Sequence, residues 1–286
     1  MSDPGKLTVN SVSGGKTSAY IAAHYPADYN LFALVRLEDP ECRFPDAKIR
    51  SEVEDRIQKP FIGTAEDDTI IYTMLDLEQY MGRPITWVSG ITFEQVIAEK
   101  GGWLPNKLHR YCTHWLKINP MFYFWAEHIG TPVTMRIGFR AGKKEEQRAR
   151  RMLDRCNTDG LLEFKASFEK HPNGRNKWEQ IPWQKPCFPL IKDRVYKDTI
   201  EVYWQDRPVR FAQLNNCVHC FHRNPMLLKL QSITHPHKMR WAAKQEGGAN
   251  GFWRSDVTYQ KIMEYQPQLE LSFEDFEGCD SGGCEV

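Results

Sequence analysis

Residues 9–20 read VNSVSGGKTSAY, and the reading of this stretch decides the fold. The run KLTVNSV (6–12) has the short apolar pattern of a buried strand, and TSAYIAAHY (17–25) repeats apolar residues at helical spacing. Between them Gly14 and Gly15 make a turn. A turn of this kind aims backbone N–H groups and the positive end of the helix dipole at one point, which suits an anion, and glycine lets the backbone come close to it. A Walker A loop would need its first glycine at position 10, where the chain has Asn10, so Gly15, Lys16 and Thr17 do not complete that motif. The plainer alternative is a turn that merely joins strand to helix.

Working outward, NLFALVRL (30–37) reads as a second strand, so strand, helix and strand within a few tens of residues form a βαβ unit with parallel strands. PITWVS (84–89) and TPVTMRIGF (131–139) add strands. TFEQVIAEKG (92–101), opened by a Thr92 to Gln95 capping box, and NPMFYFWAEHIG (119–130) add helices. The alternation predicts an α/β fold with a doubly wound, mostly parallel, Rossmann-like sheet. FEKHPNGRNKWEQIPWQKP (168–186) is polar and broken by Pro and Gly, and reads as a loop or an excursion from the sheet. KDTIEVYWQ (197–205), NPMLLKLQSITH (224–235) and DVTYQKIMEYQ (256–266) read as helices layered on the sheet. We expect a nucleotide-binding α/β domain over 1–210 and a helical, cysteine-bearing segment over 211–286, ending in a mobile tail.

The bulk numbers fit an ordinary folded chain of 286 residues. Hydrophobic residues make up 41% and charged residues 26%, and 38 Lys and Arg nearly cancel 37 Asp and Glu. A formal charge of +1 leaves any nucleic-acid contact to a local patch. No window approaches the roughly 20 apolar residues of a membrane span, and MSDPGKLTVN has no basic stretch leading into a long apolar one. The expectation is a cytoplasmic protein without a membrane partner. There, eight cysteines point to metal or redox chemistry more than to structural disulfides.

Beyond the turn, Ser13, Gly14, Gly15 and Ser18 spell S-G-G-x-x-S. RYCTHWLKINPM (110–121) carries R-x-C-T-x-x-L-K-x-x-P through Arg110, Cys112, Thr113, Lys117 and Pro120, and IGFRAGKKEEQRARRM (137–152) carries a G-x-R strand end at Gly138 and Arg140. In this order the motifs resemble the PP-loop ATP pyrophosphatases, within the branch that includes phosphoadenosine phosphosulfate (PAPS) reductases. The resemblance implies an adenine nucleotide alpha-hydrolase-like fold that binds ATP with Mg2+, or the sulfonucleotides PAPS or APS. Ser13, Gly14, Gly15, Lys16, Thr17 and Ser18 would then hold phosphates, Gly138 and Arg140 would line the nucleotide, and Glu38 and Asp39 in LEDPEC (37–42) would lie near the adenosine. FPLIKD (188–193) followed by TIEVYW (199–204) resembles a further stretch beside the nucleotide.

Splitting ATP gathers negative charge, so Lys16, Lys117 and Arg140 are the expected catalytic cations. Glu145, Arg148 and Arg151 have no assigned role. Lys143, Lys144 and Arg150 read as a solvated helix face.

Cys217 and Cys220 in NNCVHCFHRNP (215–225) are spaced C-x-x-C before a helix, so both sulfurs reach one metal centre. By the resemblance, Cys112 is a third ligand, and Cys187 in KPCFPL (185–190) is a natural fourth for a [4Fe–4S] cluster. With Cys187 elsewhere, three thiolates would leave one iron open. Zinc, completed by His219 and His222, is one alternative, and a redox dithiol or unligated thiols the other. Cys42 and Cys156 read as packed thiols, and His114 as a structural histidine. Cys279 and Cys284 form C-x4-C in the tail GCDSGGCEV (278–286), where PAPS reductases carry a catalytic cysteine with a different ending; here the pair would relay a persulfide or switch between dithiol and disulfide.

Three functions remain open: an ATP-dependent sulfurtransferase acting on a nucleic-acid or nucleobase acceptor with a sulfur donor, a sulfonucleotide reductase fed by a thioredoxin-like reductant, or a non-catalytic sensor. The oligomeric state stays open, a homodimer being plausible. Trp103, Trp115, Trp183, Trp204 and Trp253 read as core, with base stacking the alternative.

Overall fold

The structure is a computed structural model and describes residues 7–215, 217–247 and 251–266. Cys279 and Cys284 lie outside the described residues.

Strand β1 (Thr8–Val12) runs into the glycine turn, and helix α1 (Lys16–His24) starts directly after it. The second predicted strand is interrupted. It forms β2 (Tyr29–Ala33), parallel to β1, and a short β3 (Arg36–Leu37) that leaves the main sheet. A 3-10 turn (Pro40–Cys42) and α2 (Ala47–Ile57) follow. Strand β4 (Gly63–Thr64) then pairs antiparallel with β3 and leads into α3 (Thr69–Met81) and β5 (Thr86–Val88).

Helix α4 (Phe93–Glu99) opens with the expected capping box: Gln95 N–H donates to Thr92 Oγ1 at 3.3 Å and Thr92 N–H donates to Gln95 Oε1 at 3.1 Å. Then come α5 (Tyr111–Thr113), a π-helical turn (His114–Ile118) and α6 (Asn119–His128), so the R-x-C-T signature spans a change of helical pitch. Strand β6 (Val133–Arg136) lies on the other side of β1 from β2.

Helix α7 (Lys143–Leu153) precedes β7 (Leu162–Lys170) and β8 (Asn176–Cys187). These two strands form an antiparallel hairpin over most of the stretch expected to be a loop. The buried positions of LEFKA alternate as a half-buried strand requires, and Pro182 is accommodated where the pairing register shifts between Leu162 and Glu163. The chain continues through α8 (Pro189–Lys192), α9 (Lys197–Trp204), α10 (Pro225–Thr234), α11 (Pro236–Gln245) and α12 (Tyr259–Glu264).

Among the described residues, the main sheet has six strands in the order β5-β2-β1-β6-β8-β7, all parallel except β7. This is an α/β architecture compatible with a Rossmann-like fold. Helices α1, α2, α3 and α9 cover one face around Ile21, Phe32, Ile70 and Trp204, and α6 and α7 cover the other around Phe122, Met135 and Trp183. A third core joins the 211–266 segment to β3 and α4, through Phe93, Val218, Trp241, Trp253 and Tyr259. None of the described helices is long and apolar enough to cross a membrane.

Candidate functional site

Successive strands step away from β1 toward β2 and β5, then return to its other side at β6, so the order reverses between β1 and β6. At such a reversal the loops leaving the carboxyl ends of the two strands part and open a crevice for ligands. The loops here are Ser13–Gly15 after β1 and Ile137–Arg140 after β6. They meet closely: a Cβ on Gly138 would lie 3.5 Å from Thr17 Cγ2 and 3.7 Å from the Ser18 backbone nitrogen.

The turn is built by its own side chains. Ser18 Oγ donates to Gly15 O at 3.0 Å and accepts from Ser13 N–H at 3.0 Å, and the hydroxyls of Ser13 and Ser18 lie 3.2 Å apart. Gly14 has φ +79°, and a Cβ there would meet Ile70 Cγ2 at 2.5 Å, so only glycine fits. Gly15 caps α1 with extended backbone and no side-chain cap. A Cβ on Gly15 would come within 3.1 Å of Asn215 Nδ2, which puts Asn215 across the turn, and Asn215 Oδ1 is buried without a hydrogen-bond partner among the described residues.

Each of the three expected cations meets a glutamate. Lys16 pairs with Glu201 of α9, Arg140 lies 3.4 Å from Glu145, and Lys117 donates to Glu66 at 2.8 Å. Glu145 also accepts from Arg148 at 3.0 Å, and Arg148 stacks over Phe139, so Glu145 and Arg148 brace the residue beside Arg140. Trp204 Nε1 donates to Lys16 O at 2.9 Å and ties α9 to the start of α1. Glu38 and Asp39 are engaged locally. Their backbone N–H groups donate to Glu94 Oε1, Gln95 donates to Glu38 at 2.7 Å, and Asp39 caps the 3-10 turn. Burial pushes the Glu94 carboxyl up, against the hydrogen bonds it accepts.

The cysteines divide. Cys112, Cys217 and Cys220 line one cavity with Arg110, Lys117 and His219. It encloses about 480 Å³ of atom-free space, a volume that includes open solvent. Cys187 does not line it. It ends β8 opposite Arg136, where its carbonyl accepts from Ile137 N–H at 2.9 Å. Among the described residues, no three Cys, His, Asp or Glu side chains are drawn together tightly enough for a single metal ion.

The cavity and the turn are neighbours. Cys217 is two residues from Asn215, a reach of at most about 7 Å between their Cα atoms. Cys217 also bridges to Glu66, the partner of Lys117, and Val218 N–H donates to Ala65 O at 2.8 Å. The acidic run after β4 is clamped by α11 and the residue before it: His235 meets Asp67 at 3.0 Å and Lys238 meets Asp68 at 2.7 Å. Burial alone would raise the Asp67 carboxyl, but the hydrogen bonds from His235 and Thr69 and the attraction of His235 outweigh it and hold the group at about 2.

His219 is fully buried, and desolvation, helped by Lys238 and Arg223, pushes it down to about 3, so the ring is neutral. The other singled-out residues are structural. Cys42 is buried, which pushes its thiol up to about 12, and Cys156 donates to Met152 O at 3.7 Å. His114 stacks on Phe164, Trp183, Trp204 and Trp253 are core, and Trp103 is exposed.

Glu66, Glu201 and Asn215 were not singled out in the sequence. Asn215 carried a signal there as the residue leading into the C-x-x-C pair, and Glu201 as part of TIEVYW (199–204), whereas Glu66 carried none. No known protein family, curated protein or solved structure matches the chain.

Proposed function

We propose that the chain is a PP-loop enzyme with an adenine nucleotide alpha-hydrolase-like fold. It binds ATP with Mg2+ at the Ser13–Ser18 turn, splits it to AMP and pyrophosphate, and uses the activated acceptor for sulfur transfer. The observation that carries this reading is adjacency: a phosphate-type turn at the sheet's switch point lies against the segment that brings Cys217 and Cys220 to Cys112. A dinucleotide or sugar-phosphate site would have no use for three thiols at that position.

The chain's own groups have definable tasks. Amides of the turn and the Ser13 hydroxyl would receive the β and γ phosphates as they leave. Lys16 and Arg140 are held at their positions by Glu201 and Glu145, so they need little reorganisation to meet developing charge. An oxygen of the acceptor attacks the α phosphorus, the α–β bridging bond breaks, and pyrophosphate departs. A sulfide-level donor then attacks the activated carbon, and AMP leaves with the oxygen, with no net redox change. Lys117, at the cavity wall, would stabilise the anionic sulfur.

A [4Fe–4S] cluster suits the three thiols of this cavity, and when bound it would supply an iron–sulfur centre beside the nucleotide. A nucleic-acid acceptor is supported by the hairpin, where Phe168 and Trp178 are exposed and Lys165 Nζ lies 5.9 Å from the Trp178 ring centre, a combination suited to base stacking.

The test is anaerobic incubation with ATP, sulfide and transfer RNA. Release of AMP and pyrophosphate with thiolated nucleotide is the expected result. Thioredoxin-dependent sulfite formation from PAPS without ATP consumption would overturn the reading in favour of a sulfonucleotide reductase.

A further inference from the structure

The cavity that gathers Cys112, Cys217 and Cys220 has another polar group in its wall, His219, set between the two cysteines of the C-x-x-C pair. His219 is 1% exposed and boxed by aromatic rings, with centroids of Phe93 at 5.2 Å, Trp241 at 4.9 Å and Trp253 at 5.0 Å. Among the described residues, neither ring nitrogen has a hydrogen-bond partner. In the same core Trp253 Nε1 donates to Ala242 O at 2.9 Å and the Tyr259 hydroxyl donates to the His219 carbonyl at 2.7 Å, whereas Trp241 Nε1, like the His219 ring, has no partner among the described residues.

Leaving both nitrogens of a buried imidazole idle is costly, and such a group calls for a partner of its own. A bridging water would need two or more polar partners, whereas the rings packed on His219, those of Phe93, Trp241 and Trp253, are apolar faces. The same wall carries the thiols of Cys217 and Cys220. Cys187, the fourth thiol expected from the sequence, ends β8 and does not line this wall.

We propose that His219 is the fourth protein ligand of the cluster, completing the set begun by Cys112, Cys217 and Cys220. This rests on the reading that the three cysteines hold an iron–sulfur cluster. An imidazole nitrogen is an accepted replacement for thiolate at such centres and carries one negative charge fewer. Ligation uses the lone pair of the neutral ring and transfers no electrons. The consequence is that no iron is left open to sulfide in the resting protein, so the transferred sulfur has to arrive by another route.

The full-length protein, grown on 15N-histidine, purified anaerobically and reduced with dithionite, is examined by pulsed electron paramagnetic resonance. A strongly coupled histidine nitrogen is expected in the wild type and lost in His219→Phe, a volume-conserving change among aromatic neighbours, with the iron retained. Added sulfide should alter the spectrum of His219→Ala and leave the wild type unchanged. A wild-type cluster without a coupled histidine nitrogen overturns the assignment whether or not the variants fold, and so does a coupling that survives in His219→Phe. A wild type that holds zinc, or neither iron nor sulfide after reconstitution, instead rejects the cluster itself.

Discussion

Asn215 lies across the glycine turn, with its Nδ2 within 3.1 Å of the point where a Gly15 side chain would begin. This contact brings the start of the cysteine segment to the carboxyl end of β1, and through it the two halves of the proposed chemistry become one site.

The two glycines of the turn should therefore respond differently to alanine. Gly14→Ala forces a side chain into positive φ and against Ile70, and is expected to cost roughly 2–4 kcal/mol in denaturant unfolding. Gly15→Ala keeps an ordinary extended backbone and meets only a pliable amide. Stability should change by less than about 1 kcal/mol, while ATP affinity falls about tenfold, or ~1.4 kcal/mol.

The cysteines provide a sorting test. Cys112→Ser, Cys217→Ser and Cys220→Ser should each lose most of the iron bound after anaerobic purification, and Cys187→Ser should keep it. Equal loss from all four would mean that the β8 end moves to the cavity, contrary to its pairing with Arg136.

Acid should loosen the attachment of the C-terminal helices in a defined window. The folded Asp67 carboxyl sits near 2, below its ordinary 3.8, so its contribution is fully present above pH 4 and is lost as pH falls toward 2. The loss is on the order of 2 kcal/mol. Unfolding measured from pH 5 to 2 should show this slope in the wild type and a flatter one in Asp67→Asn.

Much of this was readable from residues. The strand, glycine turn and helix at 8–24, the parallel β1–β2 pair and the capping box at Thr92 follow from local pattern alone, because each is set by neighbours in sequence. The β7–β8 hairpin was not readable. Its prolines and glycine argued for a loop, and only pairing with β6 and a register shift at Pro182 make it strand. The glutamates facing Lys16 and Lys117 come from positions 201 and 66, separations that no local pattern encodes. The grouping of Cys112 with Cys217 and Cys220 was expected from the motifs, whereas the position of Cys187 depends on where β8 ends.

The most direct measurement is calorimetric titration of the folded, anaerobically purified protein with a non-hydrolysable α,β-methylene analogue of ATP. The account predicts one site per chain, with binding abolished in the Ser13→Ala, Lys16→Ala double variant while its unfolding transition stays cooperative. Unchanged affinity in that variant would contradict it.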